Sequence, residues 1–183
     1  MLLLLRIFTF LVIFSTTLLL LSSNVVTAKN IFGTAKNDNL TGTIDNDRLI
    51  GLGGNDTIVG LEGDDQINGG AAKDIIIGSE GDDYLIGGEN NDTIRGGLGN
   101  DQIEGNARDD NITGGIGDDT LVGGPGDDIL SGDEGNDNLF GGPDNDVMYG
   151  GVGTDYFDCG LGKDIIPDFN PTEGDVRTSN CES

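Results

Sequence analysis

GGLGNDQIE at residues 96–104 and GGIGDDTLV at residues 114–122 are two copies of one nine-residue unit, Gly-Gly-x-Gly-(Asn/Asp)-Asp-x-apolar-x. The unit repeats fifteen times from residue 33 to residue 167 without insertion or deletion. Position 8 is apolar in every copy: Leu40, Leu49, Ile58, Ile67, Ile76, Leu85, Ile94, Ile103, Ile112, Leu121, Leu130, Leu139, Met148, Phe157 and Ile166. Position 6 is aspartate in every copy. Units this short cannot bury an apolar face alone, so neighbours must stack and share a core.

Position 1 is glycine in fourteen copies, failing only at Cys159, and position 4 is glycine in nine. Both are expected at turn positions needing positive φ, where a Cβ would clash. The pattern predicts a loop of about six residues and a strand of about three, whose central apolar side chain faces the core while its neighbours face out. Two units make one coil.

The unit resembles the calcium-binding nonapeptide of RTX proteins, which implies an all-β fold, a right-handed parallel β-roll. In such a roll eighteen residues make one turn and two sheets face each other across a thin core. The resemblance implies calcium ions held between stacked loops by position-6 carboxylates and backbone carbonyls, both hard oxygen donors. One edge then holds Asp47, Asp65, Asp83, Asp101, Asp119, Asp137 and Asp155; the other holds Asp38, Asp56, Asp74, Asp92, Asp110, Asp128, Asp146 and Asp164. Without a cation, carboxylates stacked about 4.8 Å apart repel by roughly 0.9 kcal/mol per pair even at the dielectric of water. An ion bound only by the folded form turns that repulsion into folding free energy. The chain is therefore expected to be acidic and largely disordered without calcium, and a rigid roll with it.

The formal charge of −24 agrees with this reading and argues against nucleic acid and anionic membranes as partners. A Gly/Asp-rich acidic stretch can also be a solvated tail, but disorder requires no apolar residue at every ninth position.

The two edges differ. Position 4 of the even repeats is Gly63, Gly81, Gly99, Gly117, Gly135 and Gly153, broken only by Asp45. In odd repeats it reads Lys36, Gly54, Ala72, Asn90, Arg108, Gly126, Asp144 and Gly162, and position 5 adds Lys73 and Lys163. Strained Cβ atoms and nearby cations predict weaker calcium binding on the odd edge.

Residues 1–21 are almost wholly apolar with Arg6 the only charge, and Val26, Thr27 and Ala28 supply small residues before Lys29. Residues 1–28 are expected to be a secretory signal peptide, or else an uncleaved membrane anchor. Either places the roll outside the cytoplasm, secreted or at the cell surface. Residues 29–32 lead into the repeats, and 168–183 follow them. In an outward-directed chain, Cys159 and Cys181 are expected to form a disulfide that pins the tail across the end of the roll. Residues 168–175, DFNPTEGD, resemble the capping stretch after other RTX arrays, with Phe169 as the plug for the last core layer.

Nothing supports catalysis. The chain has no histidine, and its paired carboxylates repeat at nine-residue spacing, which marks them as array elements. No EF-hand loop is present. Asn39, Asn55, Asn91 and Asn111 stand in sequons, a triplet that the repeat generates easily. Positions 7 and 9 are too mixed for the threonine ladder of an ice-binding face. Outward residues toward the C-terminus, Ile129, Val147, Tyr149, Tyr156 and Ile165, suggest an apolar patch at one end of the roll. The leading expectation is extracellular calcium binding with calcium-induced folding. The alternative is a structural or adhesive module that holds a cell-surface polymer or protein and uses calcium only to stiffen.

Overall fold

The computed structural model describes residues 28–181; all of the expected signal segment 1–28 except Ala28 lies outside the described residues. The chain winds into an all-β parallel solenoid of about eight turns, with a nine-stranded sheet facing a seven-stranded one. From Asn30–Phe32 to Tyr156–Leu161 consecutive strands alternate between the sheets, so each pairs in parallel with the strand eighteen residues away, as in Ile58 opposite Ile76 and Leu85 opposite Ile103. The expected register therefore holds throughout the repeats.

The solenoid is longer than the repeat array. The strand Asn30–Phe32 pairs with Arg48–Ile50 and places Ile31 in the core register nine residues before Leu40. At the other end Val176–Arg177 adds a final strand beside Tyr156 and Phe157.

Most strands are six residues long, such as Gln66–Ala71 and Tyr84–Glu89, where three were expected. They run through positions 7, 8, 9, 1, 2 and 3, with positions 8 and 1 buried. The expectation of positive φ at position 1 is thus wrong: positive φ falls at positions 2 and 4, as at Gly70, Gly88, Gly63 and Gly81. Position 1 is glycine for want of volume. A Cβ on Gly96 would lie 2.1 Å from Asp101 Oδ2 and 2.7 Å from the Gly114 carbonyl oxygen.

Fourteen of the position-8 side chains, Leu40 to Phe157, form one continuous buried row, with Ile31, Ile166 and Phe169 packed against its ends. Phe169 stacks edge-on against Phe157 at 6.2 Å between ring centroids, and the Arg177 guanidinium lies 4.7 Å from the Phe169 centroid on its other contact. Phe169 therefore plugs the last layer as expected. Cys159 and Cys181 form a disulfide with Cα atoms 5.2 Å apart. Cys159 occupies the inward slot that glycine holds in every other repeat, and it does so in the last coil.

The C-terminal apolar residues do not form one patch. Ile129, Val147 and Ile165 stack on one outer face with Tyr149 nearby, whereas Tyr156 lies on the opposite sheet against Phe140 at 6.0 Å. An interval of nine residues rather than eighteen moves a side chain to the other sheet.

Candidate metal centre

Short loops at positions 4 to 6 join the strands, and each carries its aspartate back toward the interior. All the position-6 aspartates from Asp47 to Asp164 are buried, and Asp38 is half-buried. Burial of a carboxylate demands partners, and one oxygen finds them in a regular way. The backbone N–H of each position-6 aspartate from Asp38 to Asp146 donates to Oδ1 of the aspartate one coil later, at 2.7–3.0 Å. Two ladders result. One joins Asp38, Asp56, Asp74, Asp92, Asp110, Asp128, Asp146 and Asp164; the other joins Asp47, Asp65, Asp83, Asp101, Asp119, Asp137 and Asp155. The stacking follows the two sets that the family resemblance implies.

The second oxygen is left alone. Oδ2 is buried without a hydrogen-bond partner in Asp56, Asp65, Asp74, Asp83, Asp92, Asp101, Asp110, Asp119, Asp128, Asp137, Asp146 and Asp164. A second acceptor stands beside it. The point where a Cβ on Gly78 would lie is 2.1 Å from Asp83 Oδ2 and 2.9 Å from the Gly96 carbonyl oxygen, and the same pairing recurs along both edges. A buried carboxylate oxygen without a hydrogen-bond partner, in the neighbourhood of a carbonyl oxygen, is an arrangement that a proton or a hard cation completes. Among the described residues no three acidic, histidine or cysteine side chains gather at one point, so any ion here would draw on backbone oxygens as well as carboxylates.

Electrostatics record the same deficit. Burial pushes Asp83, Asp92, Asp101, Asp110, Asp137 and Asp146 up to about 7, and Asp65, Asp74, Asp119 and Asp128 up to about 6. The donated backbone N–H opposes this without cancelling it, and neighbouring carboxylates add to the rise. Lys73 partly offsets it at Asp92.

Position 5 carries a role that the repeat pattern contains but that was not assigned to it. Its Asn and Asp side chains accept the position-5 N–H of the following coil: Asn100 N–H to Asp82 Oδ1 at 2.7 Å, Asp118 N–H to Asn100 Oδ1 at 2.8 Å and Asn136 N–H to Asp118 Oδ1 at 2.8 Å. This exposed ladder runs opposite in direction to the buried one and locks each loop to both neighbours. Lys73, which has no acceptor, stands in that row on the odd edge.

The cap extends the buried ladder. Asp155 N–H donates to Asp175 Oδ1 at 3.1 Å across a twenty-residue interval, and Asp175 Oδ2 accepts Asn170 N–H at 2.7 Å. Asp168 accepts the N–H groups of Gly150 and Gly151 at the end of the seven-stranded sheet.

Stacked glycine-rich loops, buried carboxylates and a single aliphatic row together define a parallel β-roll with cation-seeking edges. The family model of the RTX calcium-binding nonapeptide repeat matches in overlapping segments across residues 32–166, and the chain belongs to that family. No curated protein matches the chain.

Proposed function

We propose that this chain is an extracellular calcium-binding roll that folds when calcium is supplied, with the position-6 aspartates as its ligands. The observation that carries the proposal is the row of twelve buried Oδ2 atoms without a partner. Interior residues from Asp56 to Asp164 on the odd edge and from Asp65 to Asp155 on the even edge would hold the ions. Calcium supplies positive charge and a flexible oxygen-rich coordination shell. The chain's own part is to fix Oδ1 on a backbone N–H, aim Oδ2 inward, and leave no Cβ at position 1. RTX repeats are typically extracellular, and the Cys159–Cys181 disulfide suits an oxidising compartment.

The test is far-UV circular dichroism of residues 29–183, titrated with calcium from chelator to about 10 mM, a range set by extracellular calcium modules, with magnesium as control. A cooperative coil-to-β transition with calcium alone is expected; a full β spectrum in chelator at neutral pH would overturn it.

One observation favours a second reading, a structural or adhesive module. Ile129 and Ile165 are 45% and 56% exposed and stack with Val147 on one outer face. Retention of the calcium-loaded roll on a cell-surface polymer or protein, lost in Val147→Ser/Tyr149→Ser, would support it.

A further inference from the structure

The first two loops differ from the other thirteen in one class of residue. Position 2 is threonine only in repeats 1 and 2, Thr34 and Thr43. Every later position-2 residue has positive φ, including the non-glycines Leu52 (76°), Leu61 (94°), Ser79 (99°), Asn106 (77°) and Asp133 (77°), and none of them is β-branched. A β-branched side chain is the kind that resists the left-handed region. Neither Thr34 nor Thr43 adopts it.

The consequence falls on the buried carboxylate of the same loop. Thr34 N–H donates to Asp38 Oδ2 at 2.6 Å and Thr43 N–H to Asp47 Oδ2 at 2.5 Å, while Thr34 Oγ1 adds a second bond to Asp38 Oδ2 at 2.8 Å. The same threonine hydroxyls accept the N–H of Lys36 and of Asp45, both at 3.2 Å, and these two position-4 residues also lack the positive φ found at position 4 in later loops. In twelve of the thirteen loops whose position 2 is left-handed, by contrast, Oδ2 is an orphan, from Asp56 to Asp146 and at Asp164; Asp155, beside the cap, is not among them.

We infer that the position-2 residue selects between two states of the loop, one closed by its own N–H and one open to a cation, and that repeats 1 and 2 form a calcium-free N-terminal cap. Asp38 and Asp47 are then structural carboxylates rather than ligands, which narrows the set of ligand positions that the family resemblance implies. The inference rests on the calcium reading above, in which the orphaned Oδ2 atoms are ligands.

The experiment counts calcium ions on the full chain by native mass spectrometry at saturating calcium. Asp38→Asn/Asp47→Asn should keep the wild-type count, whereas Asp83→Asn should lower it by at least one. Ser79→Thr adds one branch at a position that already carries a Cβ; it should close the loop of Asp83 and lose one ion, while Ser79→Ala keeps the full count. Thr34→Gly/Thr43→Gly, which leaves both carboxylates in place, should gain up to two. A loss in Asp38→Asn/Asp47→Asn equal to that of two interior substitutions, or a full count in Ser79→Thr, would overturn the inference while leaving calcium binding intact. A wild-type chain that binds no calcium would instead remove the reading on which it stands.

Discussion

Without calcium, the stability of this roll should fall steeply as pH rises, opposite to the behaviour of a protein held by ordinary salt-bridged carboxylates. Ten buried aspartates carry folded-state values near 6 or 7 against an ordinary 3.8. A value raised by folding means that the folded state holds protons the unfolded chain has released. The stabilisation is complete below about 3.8 and is lost as pH climbs through about 6 to 7. Each extra proton held by the fold contributes a slope of about 1.4 kcal/mol per pH unit. Solvent screening at the loop surface reduces the effect, yet two effective protons already give about 2.7 kcal/mol per unit, a large part of a typical domain's stability. The assay is circular dichroism in chelator between about pH 5 and pH 8, kept above the isoelectric point near 4.1 to avoid precipitation. β signal should be present at the acidic end and gone at the alkaline end, and saturating calcium should abolish the difference. Equal coil content across the range, or more β at pH 8 than at pH 5, would refute the claim that uncompensated buried carboxylates limit the fold.

Asp101→Asn or Asp119→Asn should raise the calcium midpoint of folding more than Asp92→Asn or Asp110→Asn, because the odd edge already carries six of the nine non-glycine positive-φ residues and Lys73; equal shifts in a calcium titration would remove the asymmetry. Gly96→Ala should prevent calcium-dependent folding by driving a Cβ to 2.1 Å from Asp101 Oδ2, whereas Gly53→Ala, whose nearest neighbours would be 3.9 Å away, should leave the transition unchanged by circular dichroism. Cys159→Ser/Cys181→Ser opens a loop of sequence separation 22 and should cost about 3.4 kcal/mol in the chain-entropy view, read as a lower Tm in calcium. Phe169→Ala should lower stability by about 2 kcal/mol, less than a fully buried phenylalanine, and should show in the same melt.

Periodicity carried much of this molecule because each coil repeats the last. The aliphatic row was legible from register, the disulfide from two cysteines in an outward-directed chain, and the eighteen-residue stacking of aspartates and the place of Phe169 from the family resemblance. The role of the position-1 glycine was not, because a glycine can mean either a left-handed backbone or a missing side chain, and only the fold reveals that Gly96 makes room for Asp101. Strand length was underestimated for the same reason, since a strand that passes through Gly-Gly lacks the side chains that mark strands in sequence. The placement of Tyr156 was readable by parity and was missed by grouping residues by nearness along the chain. Asp175 escaped because it joins the ladder at an interval of twenty, across a tail that has left the repeat.

The ends of the even ladder obey one rule although their sequences share nothing. At the start, Thr43 N–H fills Asp47 Oδ2; at the finish, Asn170 N–H fills Asp175 Oδ2. Between them Oδ2 of Asp65, Asp83, Asp101, Asp119 and Asp137 has no donor. On the odd ladder Thr34 closes Asp38 in the same way, while Asp164 stays open and that end is held instead by the disulfide of Cys159. On the calcium reading the even ladder then has a defined length, because the carboxylates at both of its ends carry their own donors, whereas the odd ladder is closed at Asp38 alone and Asp164 keeps an unpartnered Oδ2. The two threonines, the displaced aspartate and the cysteine in a glycine slot are departures from the repeat, and each falls where a uniform repeat would leave a carboxylate ladder or a core layer without a neighbour.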